Sequence, residues 1–279
     1  MPLISVIIPT CHRNDLLAKC LDCLAPGVQT LPPEQYEVIV TDDGSRTTAR
    51  QLVQDSYSWA HWTEGPRRGP AANRNNGAGK AQSEWLAFTD DDCLPEAGWL
   101  SALAAAMNGE ALALEGAIHP LGDMNQDLAE CPVNLTGGYF WSANIAIQRS
   151  LFQQIEGFDP EYLFAAHEDQ DIKIRLEGLT NITFAPEAIV LHPVRVVSLS
   201  SFITTLRRRC AAWALHVNKH WEKLGYAGKP QFCVSQYKFY SKSILLNFRK
   251  KKFCNVISSI IMILVGVPLI LHNLHVKNR

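Results

Sequence analysis

Short apolar runs alternate with stretches whose apolar positions recur every three or four residues, and this alternation holds to about residue 195. Leu3–Ile8 is apolar almost throughout and stops at Pro9, the pattern of a strand covered on both faces. Leu16, Leu17, Cys20, Leu21 and Leu24 then share one stripe of a helix over 14–24. Beyond a loop marked by Pro26, Gly27, Pro32 and Pro33, Glu37–Thr41 reads as a second buried strand. A helix over 47–56 and a short strand near Trp59–Thr63 follow. Pro70 opens a helix of small residues that ends near Ala81, and Trp85–Thr89 is a fourth strand. Further on, the spacing predicts a helix over Glu96–Met107 and strands over Ala111–Ile118 and Tyr139–Ile147. A short helix to Ile155, a helix from His167 through Glu177 and a strand over Ile182–Leu191 complete the series. The pattern is that of an α/β fold, a mostly parallel, Rossmann-like sheet flanked by helices. Ligands of such sheets bind beyond the carboxyl ends of the strands.

Two acidic clusters fall at those ends. Asp42-Asp43-Gly44-Ser45 follows the second strand, and Asp90-Asp91-Asp92 follows the fourth. Carboxylates crowded at the exit of a buried strand repel one another and lose hydration, so a positive partner is expected between them. Asp90 and Asp92, two residues apart, suit a hard divalent cation bound through oxygen, with open positions for phosphates.

From Ser198 the character changes. A basic helix over 200–222 carries Arg207, Arg208 and Arg209, a break covers Gly225–Pro230, and 236–248 is amphipathic. Arg249-Lys250-Lys251-Lys252 then precedes an apolar stretch, Val256–Leu271, which contains Gly266 and Pro268. That stretch is shorter than the roughly 20 residues of a comfortable span, so spanning and lying in the interface both stay open. The formal net charge of −1 conceals an asymmetry of −15 over residues 1–194 and +14 over 195–279. The basic, apolar tail suits an anionic membrane surface. It does not suit nucleic acid, because its arginines are not interleaved with stacking aromatics. Two domains are therefore expected: 1–195, and a helical tail over 196–279 with its membrane-associating segment at 256–271. Met1 runs straight into the first strand with no signal-peptide pattern, so the eight scattered cysteines read as reduced thiols.

Six motifs occur in order: Ser5–Thr10, Asp42–Ser45, Gly69–Asn75, Thr89–Asp92, Gly157–Asp159, and Glu168-Asp169 with Asp171 and Arg175. Together they resemble the family-2 inverting glycosyltransferases of GT-A fold, over residues 3 to about 195. Arg46-Thr47 departs from the Thr-Asp that commonly continues the second motif. The resemblance implies a nucleotide-sugar donor, Mn²⁺ or Mg²⁺, and inverting displacement at the anomeric carbon. It assigns nucleotide binding to Pro9, Asp42, Asp43, Gly69, Arg74, Asp90 and Asp91. Metal binding falls to Asp92 and Asp90, with His192 as a third ligand or diphosphate contact. Asp169 would be the base that takes the acceptor's proton, with Glu168 beside it, and Trp141 and Asn144 would line the sugar or acceptor pocket.

The expected function is transfer of a sugar, most simply from a UDP-sugar, to a hydroxyl of a lipid-linked or cell-surface polysaccharide acceptor. The expected location is the cytoplasmic face of a membrane, peripheral or with a single C-terminal anchor. Transfer to a polyprenyl phosphate shares every motif of the front half. A non-catalytic, nucleotide-binding membrane adaptor would not need the Glu168-Asp169 pair.

Overall fold

The computed structural model describes residues 2–274, which divide into two compact units, 2–121 with 132–193, and 122–131 with 194–274. In chain order the first unit contains β1 (Ile4–Thr10), α1 (Asn14–Leu24), β2 (Tyr36–Asp42), α2 (Arg50–Ser56), β3 (His61–Glu64), α3 (Pro70–Ala78) and β4 (Trp85–Phe88). These are followed by β5 (Leu94–Pro95), α4 (Trp99–Ala106) and β6 (Ala113–Leu121). The second unit contributes β7 (Ala129–Glu130), and the first resumes with β8 (Ile145–Gln148), α5 (Arg149–Gln154), α6 (Glu168–Leu176) and β9 (Ile182–Pro193). The tail holds β10 (Arg195–Val196), α7 (Leu199–His220), α8 (Lys229–Arg249), α9 (Phe253–Ile261) and α10 (Val267–Asn273).

The first unit is a mixed α/β structure on an 8-stranded sheet of order β3-β2-β1-β4-β8-β6-β9-β5. β3, β2, β1 and β4 run parallel, as do β6 and β9, while β8 is antiparallel to both its neighbours and β5 to β9. β1 is buried at every position because helices cover both faces, which is why it reads as an unbroken apolar run. Pro9 sits in it without strain. β1 pairs with β4 only as far as Ile7↔Phe88, so the proline lies beyond the end of that neighbour.

The strand expected over Tyr139–Ile147 is confined to Ile145–Gln148, and the residues before it form a loop. The helix expected from Glu96 starts at Trp99, because Leu94–Pro95 is taken up by pairing with β9. β6 and β9 lose register between Gly116 and Ala117. Asn144 fills that irregularity, its Nδ2 donating to the Ala117 and Ala188 carbonyls at 2.8 and 2.7 Å and its Oδ1 accepting from Trp99 Nε1 at 2.8 Å.

In the second unit, α7, α8 and α9–α10 pack around Phe202, Leu206, Cys210, Phe232, Met262 and Ile270. Residues 122–131, which the sequence reading kept with the catalytic domain, belong to this unit. β7 pairs with β10, Leu128 N donates to Asn255 Oδ1 at 2.6 Å, and Arg209 makes a two-pronged ion pair with Glu130 at 2.8 and 2.9 Å. The helix expected over 236–248 extends over Lys229–Arg249, with Pro230 in its first turn. The apolar stretch is longer than its sequence run. Phe253–Asn273 is one helical stretch of 21 residues holding an 18-residue window with a mean hydropathy of 2.4, long and apolar enough to cross a membrane. A π-turn over Met262–Gly266 relieves it ahead of Pro268, whose ring would clash with the carbonyl one turn back in a regular α-helix.

Candidate active site at the carboxyl ends of the strands

The acids of β2 and β4 emerge at the same edge of the sheet, because both strands run parallel to β1, which lies between them. Three carboxylates follow one another after β4, and the structure gives each a different environment. Asp90 accepts from Arg74 Nη2 at 2.6 Å. Burial opposes its charge, but Arg74 and then His192 outweigh burial and hold its pKa below the usual carboxylate value. Asp91 is fully buried and accepts from Thr10 Oγ1 at 2.6 Å and from Arg13 Nε at 3.1 Å. Burial nevertheless pushes it up to about 7, with Asp92 and Asp90 adding to the effect. Asp91 therefore ties the end of β4 to β1. Asp92 meets Arg13 Nη1 through Oδ2 at 3.3 Å and faces His192 Nε2 through Oδ1 at 3.7 Å.

His192 lies at the end of β9, 2 % exposed, with Nδ1 3.0 Å from the Pro193 carbonyl. A proton on Nδ1 donated to that carbonyl leaves the Nε2 lone pair directed at Asp92, the arrangement in which a cation is shared. The potential ligand atoms of Asp90, Asp92, Cys93 and His192 all lie within 4.8 Å of one another. Carboxylate oxygens with an imidazole nitrogen fit a divalent cation, and the nitrogen suits Mn²⁺ better than Mg²⁺. Burial raises the Cys93 thiol well above its ordinary value, so the acids and the imidazole are the natural ligands.

Arg74 joins this cluster to a second acidic pair. It is 3 % exposed on α3, and its Nη1 reaches Glu168 Oε1 at 3.0 Å while Nη2 holds Asp90. Its guanidinium also lies over the Phe158 ring. Burial opposes its charge, and Asp90 and Glu168 reverse the effect, so it stays protonated. Expected as a nucleotide contact, it is placed by the structure as a bridge between the two acidic motifs.

Glu168 and Asp169 open α6 behind His167, which adopts a left-handed conformation with φ 68°. Asp169 accepts from the N–H groups of Gln170, at 2.8 Å, and Ser142. Burial, reinforced by Glu168 and opposed by Arg74, raises its pKa. Glu168 is raised by burial too, and Arg74 opposes that shift. A base near neutrality is the outcome a proton-accepting role calls for. Of the pair, Asp169 is the more accessible, at 8 % against 3 %. Asp171 and Arg175 form an i,i+4 pair, and Arg175 also donates to the carbonyls of Ile155 and Gly157, so this part of the motif holds the Gly157 turn.

Three of the expected binding residues have their polar groups used inside the protein. Asp42 is 1 % exposed and accepts from Gly44 N, Ala49 N and Trp62 Nε1 at 2.8, 2.6 and 3.2 Å. It shapes the turn into α2, which leaves Asp43 as the half-buried acid of that motif. Asp43 accepts from the Arg67 and Gly69 N–H groups, and burial still holds it above its usual value. Gly69 is glycine because its φ is +90° and an added Cβ would lie 2.4 Å from the Leu163 carbonyl oxygen. Asn144, expected at the sugar pocket, is instead buried in the sheet irregularity described above.

Two residues escape sequence reasoning. Arg13 caps the start of α1 and bonds Asp91 through a second, shorter contact from Nη2. Its signal is a basic residue just beyond a strand end on the ligand-binding edge. Glu115 on β6 is 3 % exposed and accepts from the backbone N–H groups of Gly138, Tyr139 and Phe140 at 2.5, 3.1 and 2.7 Å. From α6, Gln170 Nε2 and Lys173 Nζ donate to the Tyr139 and Gly138 carbonyls at 2.7 and 2.5 Å. The loop held this way presents Trp141 stacked on the half-exposed Tyr139, with ring centres 5.9 Å apart and planes 13° from parallel. An acid in an apolar strand is the only sign of this clamp in the sequence.

Residues 5–128 match the profile of Glycosyl transferase family 2. Over those residues the chain is similar to this family of glycosyltransferases. Among curated relatives, Glycosyltransferase AglE of Haloferax volcanii is 26% identical over 211 residues, covering 70% of this chain and 68% of that protein. The GalNAc(5)-diNAcBac-PP-undecaprenol beta-1,3-glucosyltransferase of Campylobacter jejuni is 33% identical over 128 residues, 44% of this chain and 38% of the relative. The alignments span about half the length of other curated relatives, at 48% and 52%. Residues 1–349 of S. aureus TarS, solved in complex with UDP, superpose with a TM-score of 0.58 at 19% identity. That superposition covers 96% of this chain and 90% of that fragment, and it supports the GT-A fold.

Proposed function

We propose that the protein transfers a sugar from a nucleoside diphosphate sugar, with inversion, to a hydroxyl of a lipid-linked or polysaccharide acceptor at the cytoplasmic face of a membrane. The observation that carries this reading is the Arg74 bridge, which ties the Asp90–Asp92 cluster to the Glu168-Asp169 pair. Asp43 is the acid placed to receive donor N–H or O–H groups of the nucleotide. Asp92, Asp90 and His192 would hold Mn²⁺ or Mg²⁺. The bound cation would supply positive charge against the diphosphate as it leaves. The acceptor hydroxyl oxygen forms a bond to the anomeric carbon as the bond to the diphosphate oxygen breaks. The electron pair leaves with the nucleoside diphosphate, and the hydroxyl proton passes to Asp169. The Tyr139–Trp141 stack offers an aromatic face to the acceptor sugar. A UDP donor is supported by the UDP complex of the structural neighbour, and a lipid-linked acceptor by the name of the Campylobacter relative.

The test is nucleoside diphosphate release from UDP-, GDP- and dTDP-sugars by the full-length protein with Mn²⁺ and membrane lipid extract. Donor-specific release is expected. It should fall about 10²–10⁴-fold in Asp169→Asn, with nucleotide binding retained, and be lost in Asp92→Ala. Retained turnover of Asp169→Asn on a polyprenyl phosphate would favour that acceptor, because a phosphate scarcely needs a base. Nucleotide binding without release from any donor would leave the adaptor.

A further inference from the structure

The tip of the α8–α9 hairpin is the most unusual surface of the second unit. Phe248 and Phe253 are 63% and 58% exposed, and their rings meet edge to face with centres 6.5 Å apart. Between them run Arg249, Lys250, Lys251 and Lys252, an unbroken basic run in the sequence, with Asp127 the acid that meets the tip from the side. The two helices are antiparallel neighbours, held in register by Ser243 Oγ and Ser259 Oγ at 3.1 Å. That register sets Leu245 opposite Ile257 one turn above the tip, and they are 55% and 43% exposed. The tip is also held from the side, since Lys252 Nζ donates to the Met124 carbonyl and Cys254 N to Asp127 Oδ2.

Exposed aromatic rings flanking a basic run match the layered chemistry of a bilayer surface. The phenylalanines match the acyl boundary, and the cations match the phosphates just above it. One face of the helix beyond the tip is engaged elsewhere, while Leu264 and Val265 stay 69% and 45% exposed. Met262 and Ile270 lie in the core that this stretch shares with α7 and α8, so packing inside the unit competes with lipid for that face. We propose that the protein docks on anionic lipid headgroups through this hairpin tip, with Phe248 and Phe253 inserted and Arg249–Lys252 on the phosphates, rather than by threading Phe253–Asn273 through the bilayer. The proposal rests on the membrane-association part of the preceding reading, and is independent of the transfer chemistry.

The test uses the full chain with phosphatidylcholine vesicles prepared with and without phosphatidylglycerol, read by co-sedimentation. Wild type is expected to bind the phosphatidylglycerol vesicles and to be released by high salt or alkaline carbonate. Phe248→Ser with Phe253→Ser, and separately Lys250→Glu with Lys251→Glu, should each weaken binding on the order of tenfold or more with an unchanged melting temperature. Equal binding of wild type and both double variants, resistant to carbonate, would overturn the tip in favour of a spanning helix. Equal binding to neutral and anionic vesicles would overturn the phosphate contact. No binding of wild type to either vesicle would overturn membrane association itself, and a self-association in solution lost in the phenylalanine variant would assign the patch to a second copy of the chain.

Discussion

At the scale of single residues, the site is governed by how two arginines, the half-exposed Arg13 and the buried Arg74, apportion charge among its acids. Arg13 lies on Asp91 and Asp92, where it counters charge that a metal ion would otherwise meet. Arg13→Gln removes that competitor and should tighten Mn²⁺ binding by about tenfold, or about 1.4 kcal/mol, as read by electron paramagnetic resonance titration of free Mn²⁺. Arg74 acts on Asp169, the base of the proposed reaction. Its charge lowers the pKa of Asp169 against burial and Glu168, which both raise it. A base must be deprotonated to work, so activity is lost as pH falls through that pKa. Arg74→Gln removes the lowering influence, Asp169 holds its proton to a higher pH, and the acidic limb of kcat/KM should move upward by about one pH unit. A limb that stays in place or moves down would show that Arg74 does not act on the base.

At the scale of elements, one loop takes its shape from two others. The backbone of Gly138–Phe140 is clamped by Glu115 from the sheet and by Gln170 and Lys173 from α6, and Ser142 N–H in turn reaches Asp169. In Glu115→Gln an amide N–H₂ faces backbone donors, a mismatch that the buried position makes costly. Hydrogen exchange at residues 138–140 should accelerate, nucleotide affinity should hold, and turnover should fall by about 10²-fold as the base and the aromatic stack lose their placement. Fast exchange with unchanged turnover would mean that the loop does not serve the reaction. This element also explains why the strand expected from Tyr139 is not formed. Its apolar residues look like a strand, but the Glu115 carboxylate takes the N–H groups that pairing would need.

At the scale of the whole molecule, the chain separates an acidic catalytic unit from a basic helical one. If the tail serves to bring the enzyme to its acceptor, its effect should depend on where that acceptor is. Phe248→Ser with Phe253→Ser should leave turnover on a water-soluble saccharide unchanged and slow turnover on a polyprenyl-diphosphate-linked saccharide in anionic vesicles by on the order of tenfold. Equal losses on both acceptors would mean that the substitutions act on folding and not on docking.

The sequence by itself determined the class of fold, the edge of the sheet where the acids gather, and the order of the motifs. Each of these depends on local patterning: buried strands are apolar on both faces, and parallel strands deliver their final residues to one edge. What it could not show was how side-chain hydrogen bonds are distributed. Asp42 and Asp43 are adjacent in sequence, yet tertiary contacts from Ala49 and Trp62 bury the first, while the second, bonded by the Arg67 and Gly69 N–H groups, stays half-buried. Arg74 and Glu168 are 94 residues apart, and no periodicity relates them. Asn144 is drawn into a sheet irregularity that exists only once β6 and β9 have paired. Residues 122–131 join the tail through bonds to Asn255 and Cys254, 127 residues along the chain. Burial makes each of these partnerships compulsory, because a polar group out of reach of water must find another polar group, and only the folded chain decides which one is near.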